Sequence, residues 1–387
     1  MVKIQEVAER AGVSLTTVSH VINHRDRVSP ALRERVERAI TELGYTPNRQ
    51  AQGLRTGRTN VIAVMIPDIG APFYTELVRG LQAACDAHGL DALIYNTDVP
   101  GGHSEDHGLH YLRMIEKRGV DGLIVADAAL HRIQHELLKV TVPTAFIGNL
   151  PNAAVDSIEQ DGFDSAYRMG KYLISKGHTR IAHVTGPSFF NMSMIRQAGF
   201  EHALADAGHP IDDSLRYEGT FLPPAGQDAV RWLLETHSGN MPTAMFFASS
   251  RMARAALAAL ADRGLNVPGD IAIASYDLTK DLEDVRPRLT TIGVDPADLS
   301  RGALKLLNER LSGSYTGPPR RVVLPATLDV HMTASSRDPR RNDQRGTPAS
   351  NPRARPLFHR NNTFAYAGLD AWEKFGSAEP KIQGRTP

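Results

Sequence analysis

The chain has 387 residues, 41% of them hydrophobic and 22% charged, with a formal net charge of +1. That is room for two or three domains in an ordinary soluble globular composition, and the charge balance excludes a polycation. No apolar run reaches transmembrane length, no apolar stretch of signal-peptide type follows Met1, and the lone Cys85 excludes an intrachain disulfide, so a soluble cytoplasmic protein is expected.

The averages hide a basic end. Residues 1–60 carry ten Arg and Lys against six Asp and Glu, which points to a polyanionic partner for that end. Three short helices are predicted there. In "IQEVAERAG" Ile4, Val7, Ala8 and Ala11 share one face, and Gly12 stops the helix. "SLTTVSHVIN" follows, with Ser14 as its N-cap. A strand period would put Leu15, Thr17, Ser19, Val21 and Asn23 together, mixing apolar with polar. Helical spacing gathers Val18, Val21 and Ile22 and turns Thr16, Ser19, His20 and Asn23 away, so a helix is predicted. "SPALRERVERAITELG" supplies Ser29 as N-cap, Pro30 at the first helical position and Gly44 past the end.

From "VIAVMIP" onward the texture changes to apolar strands alternating with helices. The strands "LDALIYN", "VDGLIVA" and "VPTAFIGN" alternate with helices from Pro72 to His88 and around Glu105–Arg118. The alternation restarts near Gly162 and runs through "RIAHVTG", "RYEGT", "PTAMFFAS" and "DIAIASYD". "LTTIGVD", a helix at Pro296–Leu311 and "RVVLP" are expected to close the second half. Two such halves predict an α/β fold of two lobes, each a doubly wound parallel sheet, with ligand binding beyond the carboxyl ends of the strands. Within this part, Cys85 in "LVRGLQAACDAHG" reads as a small buried helix residue rather than a nucleophile. From about Ser335 the chain is dense in Arg, Pro and Asn, and a disordered tail is expected there, without the apolar heptads of a tetramerising coil. The expected domains are a headpiece at 1–46, a hinge and linker at 47–59, a two-lobed core at 60–335 and the tail at 336–387.

A helix, a tight turn at Gly12-Val13 and a capped second helix make a helix-turn-helix, whose second helix enters the DNA major groove. Short hydroxyl side chains let such a helix approach base edges, and His hydrogen-bonds a purine acceptor. For an isolated hydroxyl-rich helix a solvated face is the commoner reading. The surrounding run decides between them. "IQEVAERAGVSLTTVSHVIN", "VSPALRERVERAITELGYTPNRQAQGLR" and "VIAVMIPDIGAPFYTELVRG" closely resemble the lactose-repressor (LacI) family of bacterial transcription regulators. The resemblance extends to "KGHTRIAHVTGP", "IRQAGFEHAL", "RGLNVPGDIAIASYD" and "LTTIGVD", and so covers roughly residues 2–335.

The resemblance implies a helix-turn-helix headpiece, a hinge helix and a core like that of periplasmic sugar-binding proteins, acting as a homodimer on a pseudo-palindromic double-stranded DNA operator. By it, Leu15, Thr16, Ser19 and His20 face base edges, while Thr17 and Asn23 support the helix or touch the backbone. The hinge falls at Asn48–Arg55, with Asn48, Ala51 and Arg55 at the DNA and Leu54 inserted in the minor groove. Gln52-Gly53 replaces the family's usual Arg-Ser, which removes a phosphate contact and places a glycine costing about 1 kcal/mol in a helix. A hinge that folds only on DNA is therefore expected.

The resemblance also implies a small-molecule effector, sugar-like in this family, between the lobes. Phe73, Tyr74, Arg196, Phe221, Ser249 and Asp277 match positions that hold it. Ser249-Ser250 stands where the family commonly has Asn-Asp, and Leu278 where it has a second acid, so a strong bidentate acceptor is missing. Another metabolite therefore stands beside a sugar as the expected ligand. His103, His107 and His110 share a helical face, as do His131 and His135, but with no companion Cys they read as solvated surface rather than a metal site. With no P-loop, GxSxG or HExxH and no cofactor motif, a regulator, by resemblance a repressor, is expected rather than an enzyme. A ligand-binding protein without DNA function is the competing class.

Overall fold

Helix α1 (Ile4–Ala11) ends where Gly12 enters the left-handed region at φ 62°, a turn that brings the Val13 N–H to the Ala8 carbonyl at 3.0 Å. Helix α2 (Leu15–Asn23) starts under Ser14, whose Oγ accepts the Thr17 N–H at 3.1 Å. Helix α3 (Pro30–Leu43) opens on proline and closes on Gly44, again at φ 62°. Val7, Ala8, Ala11, Val18, Val21, Val28, Val36 and Ala39 form one buried cluster between the three helices. Each buried valine contributes about 1.5–3 kcal/mol, so the cluster is small and polar ties matter more than usual. Arg35 provides one: its Nη2 donates to the carbonyls of Ala11 at 2.5 Å and Gly12 at 3.1 Å, which the end of α1 leaves open.

In the computed structural model, residues 2–23, 28–45, 58–98, 104–126, 134–150 and 155–336 are described. The chain divides into two units, Met1–Val61 with Gly119–Asp121 and Ile62–Arg118 with Gly122–Pro387. The expected hinge and the tail beyond Ser336 lie outside the described residues. No described helix is long and apolar enough to cross a membrane.

The second unit holds two six-stranded sheets. In chain order its elements begin β1 (Val61–Ile66), α4 (Pro72–Ala87), β2 (Asp91–Asn96), α5 (Ser104–Arg118), β3 (Gly122–Ala126), β4 (Thr144–Ile147) and β5 (Asp156–Gln160). They continue with α6 (Gly162–Ser175), β6 (Ile181–Thr185), α7 (Asn191–Asp206), β7 (Arg216–Glu218), α8 (Pro223–His237), β8 (Ala244–Phe247), α9 (Ser250–Ala261) and β9 (Ala272–Tyr276). Last come β10 (Thr290–Gly293), α10 (Pro296–Leu311), β11 (Arg321–Leu324) and β12 (Thr327–Asp329). The first sheet runs β11-β5-β4-β3-β1-β2 and the second β12-β10-β9-β8-β6-β7. β1 pairs in parallel with β3 (Val64 opposite Ile124) and β6 with β8 (Val184 opposite Phe247), whereas β12 lies antiparallel to β10. Continuous burial of β3 and β8 explains why these strands read as unbroken apolar runs.

The chain passes between the lobes three times. β5 belongs to the first sheet and α6 packs on α7 in the second lobe; β10 belongs to the second sheet and α10 packs on α4 in the first; β11 returns to the first sheet and β12 to the second. This corrects the sequence-based assignment of the 296–311 helix and "RVVLP" to the second half. Alternation of strand and helix carries no record of which sheet receives the next strand. The edge pair β5–β11 is held by Asp156, whose carboxylate accepts from Arg310 Nε at 3.0 Å, Arg310 Nη2 at 2.8 Å, Arg320 Nη2 at 2.8 Å and the Arg320 N–H at 2.8 Å. Burial works against the Asp156 charge, and these hydrogen bonds outweigh it, holding the carboxyl at about 2.

Candidate nucleic-acid interface and ligand site

Helix α2 is fixed from below by Val18 and Val21, both buried, which leaves its opposite face open. Leu15 is 44% exposed, and Thr16 beside it is exposed too. Ser19 and His20, one turn on, are half-buried on the same side. The expected base-reading quartet therefore lies together on one stripe. Thr17 sits apart from it, with its Oγ1 at 2.9 Å from the Ser14 hydroxyl in the cap. The side chain of Asn23, and Asn48, Ala51, Leu54 and Arg55, lie outside the described residues.

The expected ligand residues fall in the second unit. Phe73 and Tyr74 occupy the first turn of α4, edge to face at 5.2 Å and half-buried against the core. In the second lobe, Phe221, Ser249 and Asp277 come together with Ser250. Asp277 Oδ2 accepts both the N–H and the Oγ–H of Ser250 at 3.0 Å, and the Ser249 hydroxyl donates to the Phe221 carbonyl at 3.3 Å. Phe221 and Asp277 have φ of 64° and 80°, a region that costs a non-glycine residue about 1–3 kcal/mol and recurs at ligand clamps. Among the described non-glycine residues only Asn60 shares it.

Arg196 lies under this group. Its guanidinium stacks 4.0 Å from the centre of the Tyr276 ring, and its Nη1 donates to the Ala248 carbonyl at 3.2 Å, while its Nε is buried with no partner. Tyr276 is itself buried and donates to the Gly162 carbonyl at 2.9 Å; burial pushes its phenol up. The Phe221 ring lies across Gly186, where a Cβ would come within 2.0 Å of it, and 5.9 Å from the Phe190 ring. The Ser193 hydroxyl, also buried without a partner, faces the same glycine. Two aromatic faces, one carboxylate and an unsatisfied guanidinium nitrogen suit a small ring-bearing polar ligand.

Sequence reasoning missed Tyr276, Ser193 and Gly186, and it missed Arg251. One residue past Ser250, Arg251 pairs with Asp68 of the first lobe at 3.0 Å. An Arg in an Ala-rich helix gave no signal of this. Of the histidines, His107 Nδ1 lies 3.1 Å from the Thr97 carbonyl and stacks on Tyr111, and His135 lies 3.0 Å from Glu136; His103 and His131 lie outside the described residues. No group of three His, Cys, Asp or Glu suited to a metal occurs among the described residues. Cys85 is buried in α4, where burial pushes its thiol up to about 11, an inert rather than nucleophilic state.

A helix-turn-helix joined to a two-lobed α/β unit that crosses between its sheets three times defines a class, the transcription regulators with a binding-protein-like sensor. Residues 3–48 match the bacterial regulatory proteins of the lacI family, and residues 171–333 match the periplasmic binding protein-like domain. The HTH-type transcriptional regulator DegA of Bacillus subtilis is 33% identical over 341 residues, covering 86% of this chain and 98% of its own. The chain belongs to the LacI family of bacterial transcriptional regulators, and it is not an enzyme. Among solved structures, a complex of the transcriptional regulator CelR with cellobiose is 32% identical with a TM-score of 0.64, covering 86% of this chain and all of that one. The lac repressor dimer bound to operator and the anti-inducer ONPF is 28% identical with a TM-score of 0.75, covering 87% of this chain and 99% of that one.

Proposed function

We propose that this regulator works in the cytoplasm as a homodimeric repressor of a pseudo-palindromic operator, and that a small sugar-like metabolite between its lobes sets its affinity for DNA. The observation that carries the DNA reading is the stripe of Leu15, Thr16, Ser19 and His20 on a helix anchored by Val18 and Val21. In this reading those four side chains specify the sequence, Thr17 and Asn23 steady the helix, and Asn48, Ala51, Leu54 and Arg55 form a hinge that folds on the minor groove. The lac repressor dimer on its operator supports the stoichiometry. The domain limits proposed are 1–46, 47–59, 60–335 and 336–387.

For the effector, Arg196 and Asp277 supply the donor and acceptor, Phe221 stacks on the ring, Ser249 fixes the Phe221 backbone, and Phe73 and Tyr74 close the site from the first lobe. The unpartnered Nε of Arg196 supports a ligand acceptor there, and the cellobiose complex of CelR supports a sugar. Ligand binding that favours one lobe arrangement over the other changes operator affinity by the same coupling free energy that operator binding returns to the ligand. The test is selection of duplexes from a random pool, followed by rebinding of the winner with a panel of sugars and nucleobases. A half-site repeat and a ligand-dependent shift are expected. Failure to retain any duplex would leave the ligand-binding class instead.

A further inference from the structure

Contacts between the lobes, apart from the three crossings of the chain, gather around the cleft. The Asn191 side-chain amide donates to Asn149 Oδ1 at 2.8 Å, and the Lys280 N–H donates to Glu76 Oε1 at 2.6 Å. The ion pair of this set is Asp68 with Arg251. Asp68 stands two residues past the end of β1, and Arg251 stands in the first turn of α9, the turn whose Ser250 holds Asp277. Their side chains are 32% and 26% exposed, so the pair is less screened than a surface pair, yet it escapes the full desolvation cost of a buried one.

We propose that Asp68 and Arg251 form a latch that holds the two lobes together across the cleft, so that a ligand enters only when this pair breaks. Arg251 also faces a second carboxylate. Burial and the nearby Asp68 push the Asp98 carboxyl up, while Arg251 and His107 act against that rise. Removing Arg251 therefore leaves two first-lobe acids without their counter-charge from the second lobe. Because Arg251 follows Ser250 directly, opening the latch also frees the turn that orients the Asp277 carboxylate. The latch rests on the fold alone and stands whether or not the effector is a sugar.

Hydrogen exchange on the full chain tests it, read at the amides of residues 250–254, because the Gly70 N–H is held by Asp68 itself. Arg251→Gln and Asp68→Asn should each lower protection there by about fivefold, the upper range for a part-exposed pair. High salt should do the same to the unaltered chain. The exchanged pair, Asp68→Arg with Arg251→Asp, should recover most of the protection, which a loss of packing in either single variant does not allow. Protection unchanged in both single variants, or an exchanged pair no better protected than they are, would overturn the latch.

Discussion

His20 and Leu15 occupy one stripe of α2, and in the proposed reading they meet DNA by different physics, one by a hydrogen bond and the other by apolar contact. Replacing His20 by Ala removes the only ring donor and acceptor of the quartet. The expected outcome is a selected operator relaxed at one position per half-site, with a discrimination loss of about 1–3 kcal/mol. An unchanged consensus from the same random pool would remove His20 from the reading face. A second histidine behaves as a stability residue. His183 sits in β6 between the rings of Phe200 at 4.7 Å and Phe246 at 5.2 Å, with both ring nitrogens buried and unpartnered. Burial, with help from the positive Arg216, holds it down at about 3. Between that value and the ordinary 6.5, the unfolded chain binds the proton and the folded chain does not, so stability falls as pH drops below 6.5. At pH 5 this amounts to about 2 kcal/mol. Urea titrations at pH 7.5 and pH 5 should show His183→Leu losing less stability across the interval than the unaltered chain.

At the scale of elements, α6 and α7 approach so closely that a Cβ on Gly199 would lie 2.2 Å from the Phe163 carbonyl oxygen and 2.9 Å from its Cα. These are backbone atoms, which cannot swing aside. Gly199→Ala should cost about 1–3 kcal/mol, measured as a lowered urea midpoint with unchanged m-value. The elements also show what a sequence can and cannot disclose. Strands such as "VIAVMI" were legible because both faces are covered, and the α3 helix because Ser29, Pro30 and Gly44 mark its ends. β5 was not foreseen. Its buried residues include Asp156, Ser157 and Glu159, and its polarity is tolerated only because Arg310, Arg320 and Arg321 arrive from more than 150 residues away. The candidate ligand residues were reachable by resemblance one at a time. Their joint geometry depends on distant segments meeting, Ser250 gripping Asp277 within the second lobe and Arg251 reaching Asp68 across the cleft, and no local pattern records that.

On the scale of the whole molecule, the last two strands serve both sheets at once. β11 edges the first, β12 edges the second, and Arg320 just before them binds Asp156. A chain ended after Pro319 should therefore lose both lobes together. One cooperative loss of secondary structure by circular dichroism is the expected outcome, whereas a surviving half-amplitude transition would show that one lobe folds without its edge. The three crossings carry a further consequence, for recombination. Neither lobe is a contiguous stretch of gene, since each is written in interrupted passages separated by parts of the other. A single crossover between two relatives within this region splits a lobe between parents and sets mismatched side chains inside one sheet. To exchange the second lobe cleanly, breakpoints must fall together at the joints near residues 161, 295 and 325, where β5, β10 and β11 end. New ligand preferences in such a molecule therefore arise more readily by substitutions within the cleft than by shuffling of its halves.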